Sequence, residues 1–335
     1  MSLSNYSTMM LPKIEEELIS VVQQVKSSGL EQFHSMLAYH MGWEKSAANA
    51  QGKRIRPLLV LLTTLAAGGD WERALPAAAA VELVHNFSLI HDDIQDGSDL
   101  RRGRPTVWKI WGMPQAINAG DAMFALAHLA ILRLTETAST KITIISSQLL
   151  LTTCLELTKG QFLDIGYEDR TDLTIDDYWP MVRGKTAALL AACTELGAIV
   201  AEADASTRTA FHLFGQSLGL AFQAHDDYLG IWGDAALTGK SSESDLITGK
   251  KSLPVLFGLT QRGQFAIRWL EGHIRPEEVP GMATQLEIEG ARHYTQEVTA
   301  RLTRQALDAL AETGVENVGR EALEELAHLL LARQG

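Results

Sequence analysis

Cysteine is almost absent from this 335-residue sequence: only Cys154 and Cys193 occur. Neither has the spacing of a metal-ligand set or a redox pair. Both sit among apolar, helix-like residues, which predicts buried thiols in a reducing cytoplasm. Basic residues are also scarce, 29 Lys and Arg against 41 Asp and Glu, for a formal net charge of -12. A chain-wide basic footprint for nucleic acid is thereby excluded. No uncharged apolar run reaches the length of a membrane span, and no basic stretch leads into an apolar core and cleavage site at the N-terminus. The expectation is a soluble cytoplasmic protein with no transmembrane segment. Strand-like alternation is rare, and no repeat of fixed period supports a solenoid.

What remains is a composition of 46% apolar and 21% charged residues, enough to bury a large core. Apolar residues recur at three- and four-residue spacing over Ile14–Val25, Arg56–Ala67, Pro76–Asp93, Ala116–Thr137 and Lys141–Gly160. The pattern continues over Trp179–Ala203, Ser206–Leu229, Leu253–Gln261, Gly290–Thr313 and Arg320–Arg333. Several of these segments are apolar on nearly every side, as the central helices of a large bundle are. The prediction is an all-α fold, a single domain over residues 1–335 built round one shared core. Irregular stretches fall at Asp96–Thr106, Tyr167–Thr174, Gly233–Ser252 and His273–Pro280, rich in Gly, Ser, Asp or Pro. The third is long enough for a functional loop.

Two acidic clusters end apolar helices. The first is His91-Asp92-Asp93-Ile94-Gln95-Asp96, in which Asp92 and Asp96 share a helix face. The second is Gln223-Ala224-His225-Asp226-Asp227. Carboxylates at a helix C-terminus oppose the helix dipole and call for a compensating cation. Paired hard oxygen ligands favour Mg²⁺, which keeps waters and accepts substrate phosphate oxygens. Alone, each cluster is equally readable as a solvated helix end. Cations flank the first: Arg101-Arg102-Gly103-Arg104 follows it, and Lys53-Arg54-Ile55-Arg56 lies earlier at a helix start. Acids and cations together describe a diphosphate pocket.

The ordered set GKRIRP, HDDIQD, RRGRPT and FQAHDD resembles the signature of the trans-isoprenyl diphosphate synthases, over residues from about 50 to 260. Gly160-Gln161-Phe162-Leu163-Asp164, Gly184-Lys185-Thr186 and Gly249-Lys250-Lys251-Ser252-Leu253-Pro254 extend it. The resemblance implies that Lys53, Arg56, His85 and Arg102 hold isopentenyl diphosphate. It assigns Arg101, Lys185, Thr186, Gln223, Lys240 and Lys250 to the allylic diphosphate: dimethylallyl, geranyl or farnesyl. Asp92, Asp96 and Asp226 would coordinate Mg²⁺, three ions with substrate bound, with Asp93, Asp164 and Asp227 in support. The family is usually homodimeric, and the helices over residues 116–160 are the natural face for a second subunit. One departure stands out. The family's second cluster commonly reads DDxxD, whereas Gly230 occupies its fifth position here, with Asp234 four residues on.

Ionisation of an allylic diphosphate followed by attack of the isopentenyl alkene needs charge neutralisation at the leaving group and no strongly basic side chain. Product length then depends on what closes the tunnel beneath Asp92. Phe87 and Ser88 lie roughly 6–7.5 Å deeper along the same helix. With one aromatic and a small residue there, the sequence resembles synthases of geranylgeranyl (C20) diphosphate more than those stopping at farnesyl (C15). Leu126, His128 and Leu129 are other residues that could close the tunnel. The competing readings are a class I terpene cyclase, which needs no second diphosphate site, and a non-catalytic subunit of a heteromeric synthase, which tends to lose one acidic cluster.

Overall fold

The computed structural model describes residues 2–44, 52–233 and 245–331. Helix α1 runs from Leu3 to Val22, starting well before the expected Ile14, because Leu3, Tyr6, Met10, Ile14 and Leu18 form one buried stripe. Pro12 lies inside that helix and reads in the sequence as a break. Helix α2 (Glu31–Met41), which the periodicity did not reveal, ends on Gly42 in the left-handed conformation at φ 78°. Helix α3 (Ile55–Ala66) is buried from Pro57 to Thr64. Helix α4 (Leu75–Gln95) has Pro76 in its first turn and carries the first acidic cluster at its end.

After α4 the chain makes a hairpin of two short strands, β1 (Leu100–Arg101) and β2 (Arg104–Pro105). Its two turn residues, Arg102 and Gly103, both have positive φ, 52° and 73°. That is the mirror-image turn that matches the twist of paired strands. It holds Arg102 at the tip. Helices α5 (Val107–Trp111), α6 (Met113–Leu132) and α7 (Thr140–Tyr167) follow. Gly120 of α6 allows close approach to α4, since a Cβ there would fall 2.2 Å from His91 Nε2.

The single helix expected over Trp179–Ala203 is interrupted. Helix α8 (Ile175–Val182) passes through a π-helical turn at Arg183–Ala187 into α9 (Ala188–Val200). Two glycines meet at that turn: a Cβ on Gly160 would lie 2.0 Å from the Lys185 nitrogen, and one on Gly184 2.7 Å from the Glu156 carbonyl. Only bare backbones fit, which gives both glycines a packing reason. Helix α10 (Ala205–Trp232) carries the second acidic cluster. Further helices span Asp245–Thr248, Leu253–Gln261, Gln264–Leu270, Val279–Ile288, Ala291–Glu312 and Val318–Leu331.

The chain divides into two compact units, residues 1–152 with 192–211 and 313–323, and residues 153–191 with 212–312 and 324–335. The first unit packs α4 against α1, α3 and α6, with Leu59, Leu62, Val81, Val84 and Met123 fully buried. In the second, Tyr178, Val182, Leu220, Ala224, Leu253 and Leu256 form one core cluster and Leu246, Val255, Phe265 and Leu286 another. Both cysteines are buried free thiols, and burial pushes each up to about 12. Among the described residues one helix, Met113–Glu136, is long and apolar enough to cross a membrane, and 44% of its most apolar window is buried inside the protein.

Candidate active site

In the first unit the two basic runs meet. Gly52 lies flat against Arg102, so that a Cβ there would come within 2.8 Å of the guanidinium. Arg56 is half-buried, its Nε shielded from solvent without a hydrogen-bond partner. Burial lowers the pKa of Arg56 and of Arg102, and the Glu82 carboxylate offsets this in both. Burial, then the Arg56, Arg102 and Arg101 charges, hold the His85 imidazole well below its usual range. His40 of α2 stands in the same field. Burial and the Arg101, Arg102 and Arg54 charges bring it to about 3, and its Nε2 is shielded without a partner. His40 lines a cavity with Tyr39, Asp93, Arg101, Arg102 and Arg104.

The first acidic cluster splits by helix geometry. Asp92 is half-buried and Asp96 exposed, one turn apart at the end of α4. Asp93 points inward, 1% exposed. It accepts from Arg101 Nε and pairs with Arg101 Nη2, both at 2.7 Å. Burial raises the Asp93 carboxyl to about 6, with Arg101 opposing. Beneath Asp92, Phe87 packs edge-on against Phe124 of α6 at 5.1 Å, and Phe124 against His128 at 4.4 Å. The Ser88 hydroxyl donates to the His85 carbonyl at 2.8 Å.

Arg54, inside the first basic motif, has a different duty from its neighbours. Its backbone is left-handed at φ 48° and its side chain 2% exposed. Nε donates to Glu15 at 2.5 Å, Nη1 to Glu82 at 2.8 Å and Nη2 to the Met41 carbonyl at 3.2 Å. Glu15 also accepts from the Trp43 indole at 2.8 Å, and Glu82 from Asn86 at 3.1 Å. The segment carrying Lys53 and the first turn of α3 with Arg56 is thereby tied to α1, α2 and α4. A lone Glu82 within an otherwise apolar run of α4 was the available sequence signal.

In the second unit Lys185, on the π-helical turn, forms a short ion pair with Asp164 of α7. The Thr186 hydroxyl donates to Gln223 Oε1 at 2.8 Å, and Gln223 Nε2 donates to Asp227 Oδ1 at 2.8 Å. Asp227 is 1% exposed and accepts on Oδ2 from the Tyr178 hydroxyl at 2.8 Å and the Leu253 backbone N–H at 2.9 Å. Burial raises Asp227 to about 6, against Lys250. Lys250 shifts upward: burial opposes its charge, but Asp245, Asp227, Asp226 and Asp164 more than offset that. The structure thus groups Lys185, Thr186, Gln223, Asp164, Asp226, Asp227 and Lys250. Lys240 and Asp234 lie outside the described residues.

Gly230 acquires a reason that the motif comparison could not supply. A Cβ at this position would fall 2.5 Å from Asp245 Oδ2 and 2.8 Å from its Cγ. The carboxylate of a residue fifteen positions later takes the space that a side chain at 230 would need. Among the described residues no three His, Cys, Asp or Glu side chains converge as a ready-made metal cage. Mg²⁺ does not require one, since it binds through one or two carboxylates with waters and phosphate oxygens. The Asp92/Asp96 pair and Asp226 suit that donor set.

The chain matches the polyprenyl synthetase family over residues 43–279. It is 40% identical over 312 residues to a (2E,6E)-farnesyl diphosphate synthase of Mycobacterium bovis, covering 89% of this chain and 86% of that one. It is equally 40% identical over 301 residues to a geranylgeranyl diphosphate synthase of Mycobacterium tuberculosis, covering 87% and 85%. The crystal structure of a polyprenyl synthetase from Streptomyces coelicolor superposes with a TM-score of 0.87 at 36% identity, covering 96% of this chain and 97% of that one. The all-α architecture is therefore shared with solved synthases, and this chain belongs to the polyprenyl synthetase family of prenyltransferases.

Proposed function

We propose that the chain is a short-chain prenyl diphosphate synthase that condenses isopentenyl diphosphate head to tail with an allylic diphosphate. The observation that carries this reading is the convergence of Arg56, Arg101 and Arg102, accessible to a ligand, around two histidines held neutral by burial and by those charges, a setting made for a multiply charged anion. Lys53, Arg56, His85 and Arg102 hold isopentenyl diphosphate. Arg101, Lys185, Thr186, Gln223, Lys240 and Lys250 hold the allylic diphosphate. Asp93, Asp164 and Asp227 act by holding Arg101, Lys185 and Gln223 in place.

Asp92, Asp96 and Asp226 would bind Mg²⁺, three ions with substrate present, supplying charge neutralisation at the leaving diphosphate. The cationic side chains add to that neutralisation. The isopentenyl alkene is the nucleophile, and the proton it releases after bond formation passes to the departing pyrophosphate. Asp92→Ala and Asp226→Ala should each abolish condensation while circular dichroism shows unchanged helicity. EDTA should stop turnover and added Mg²⁺ restore it. Near-wild-type condensation in either variant would refute the assignment.

The product is geranylgeranyl diphosphate, C20, with Phe87 and Ser88 setting the depth of the tunnel. The ring contacts of Phe87 with Phe124 and of Phe124 with His128, beneath Asp92, support that reading. Farnesyl diphosphate is the second reading, favoured by the equally similar farnesyl diphosphate synthase. Product analysis of Phe87→Ala decides whether this floor sets chain length, since an unchanged distribution would remove it. The chain acts as a cytoplasmic homodimer. Exposed Ile117 (43%) and Leu132 (51%) of α6 with Ile144 (61%) and Leu151 (51%) of α7 support a covered face there. Sedimentation at the monomer mass would contradict it.

A further inference from the structure

The hydrogen bonds around Asp227 have a fixed polarity. Three donors converge on its two oxygens: the Tyr178 hydroxyl at 2.8 Å, the Leu253 N–H at 2.9 Å and the Gln223 amide at 2.8 Å. A carboxylate only accepts, so the NH₂ end of Gln223 must face Asp227. Its carbonyl oxygen is thereby turned to the Thr186 hydroxyl, which donates to it at 2.8 Å. One N–H of Gln223 is committed to Asp227, and the other is left as a donor. If Asp227 rotated, the amide could flip and present its oxygen to an incoming phosphate, replacing attraction with repulsion.

Tyr178, together with the Leu253 N–H, holds Oδ2 of Asp227 against that rotation, while Gln223 holds Oδ1. The Tyr178 ring is buried, 1% exposed, packed edge-on against Trp179 at 5.0 Å. Burial and the Asp227 charge keep its hydroxyl protonated far above the usual phenol range. In the sequence it follows Asp176-Asp177, seven positions before Lys185 on α8, and no spacing there points to Asp227.

We infer that Tyr178 is a positioning residue for the allylic diphosphate, acting through Asp227 to fix which end of the Gln223 amide faces the substrate. The inference rests on the proposed assignment of Gln223 and Thr186 to that diphosphate. It separates the two substrates: the isopentenyl diphosphate residues all lie in the first compact unit, whereas this network lies wholly in the second.

The test is Tyr178→Phe, which keeps the ring and removes one donor. Binding of geranyl thiolodiphosphate, an unreactive allylic analogue, would be measured by calorimetry with Mg²⁺, beside steady-state kinetics for both substrates. Allylic affinity should fall about tenfold while the KM for isopentenyl diphosphate stays within twofold. In a Gln223→Ala background the same substitution should have no further effect on allylic affinity, because the residue through which it acts is gone. An unchanged analogue affinity in Tyr178→Phe, an equal rise in both KM values, or a full tenfold loss persisting in Gln223→Ala would each overturn the inference. The last two are what a purely structural role produces. Because the analogue reports binding without turnover, a wild-type enzyme that fails to condense would refute the proposed reaction separately from this result.

Discussion

Replacing Arg54 tests whether the basic motif contains a structural cation as well as substrate cations. Its guanidinium is 2% exposed and lies between Glu15 and Glu82, the latter 4% exposed. Arg54→Met removes bonds to both carboxylates and to the Met41 carbonyl while keeping much of the volume. Breaking a buried pair from one side costs about 3–5 kcal/mol, because the surviving charge stays desolvated. Arg56 and Arg102 still face Glu82, so the low end, about 3 kcal/mol, is the expected loss. That is a large share of the roughly 5–15 kcal/mol that stabilises a typical protein. Urea unfolding followed by far-ultraviolet circular dichroism reads it directly, because the fold is almost wholly helical. Adding Glu82→Gln should recover about 1–2 kcal/mol by removing the stranded charge. The KM for isopentenyl diphosphate should rise at least tenfold in Arg54→Met, with the allylic KM within twofold. A loss under about 1 kcal/mol, or no recovery in the double variant, would refute the buried-pair argument.

Two further outcomes follow from the site. His40, at about 3 in the folded protein, and His85, also depressed, stay neutral in the fold but protonate near pH 6.5 when unfolded. The unfolded chain therefore binds more protons below pH 6.5, and stability falls with acid by up to about 1.4 kcal/mol per pH unit for each histidine. His40→Asn should flatten that slope in urea titrations between pH 6.5 and 5, and an unchanged slope would contradict the shift. Gly230→Asp should weaken the fold, because its Cβ meets the Asp245 carboxylate 2.5 Å away, whereas Gly230→Asp with Asp245→Gly should restore the melting temperature. Equal melting temperatures for Gly230→Asp and the wild type would show that the space is not contested.

Helices and acid clusters were legible because both depend on short sequence separation. Apolar spacing located most of the helices, and Asp92 and Asp96 share a face by helix geometry alone. The missed pieces are those where a local signal was overridden or absent. Pro12 hid the first half of α1, α2 showed too little periodicity, and the π-helical turn at Arg183–Ala187 depends on Gly160 meeting Gly184.

The same division runs through the candidate site. The sequence by itself determined an all-α chain and the residue types for metal and diphosphate, since these follow from periodicity and ordered motifs. Tertiary structure decided which member of each run faces where. Asp93 turns inward to Arg101 while Asp92 and Asp96 do not, and Arg54 is buried between two acids while its neighbour Lys53 is exposed. It also brought in partners from far along the chain: Tyr178 to Asp227, and Asp245 into the space left by Gly230. The physical reason is that a side chain's partner is fixed by which helices pack together, and no spacing within a single helix carries that information.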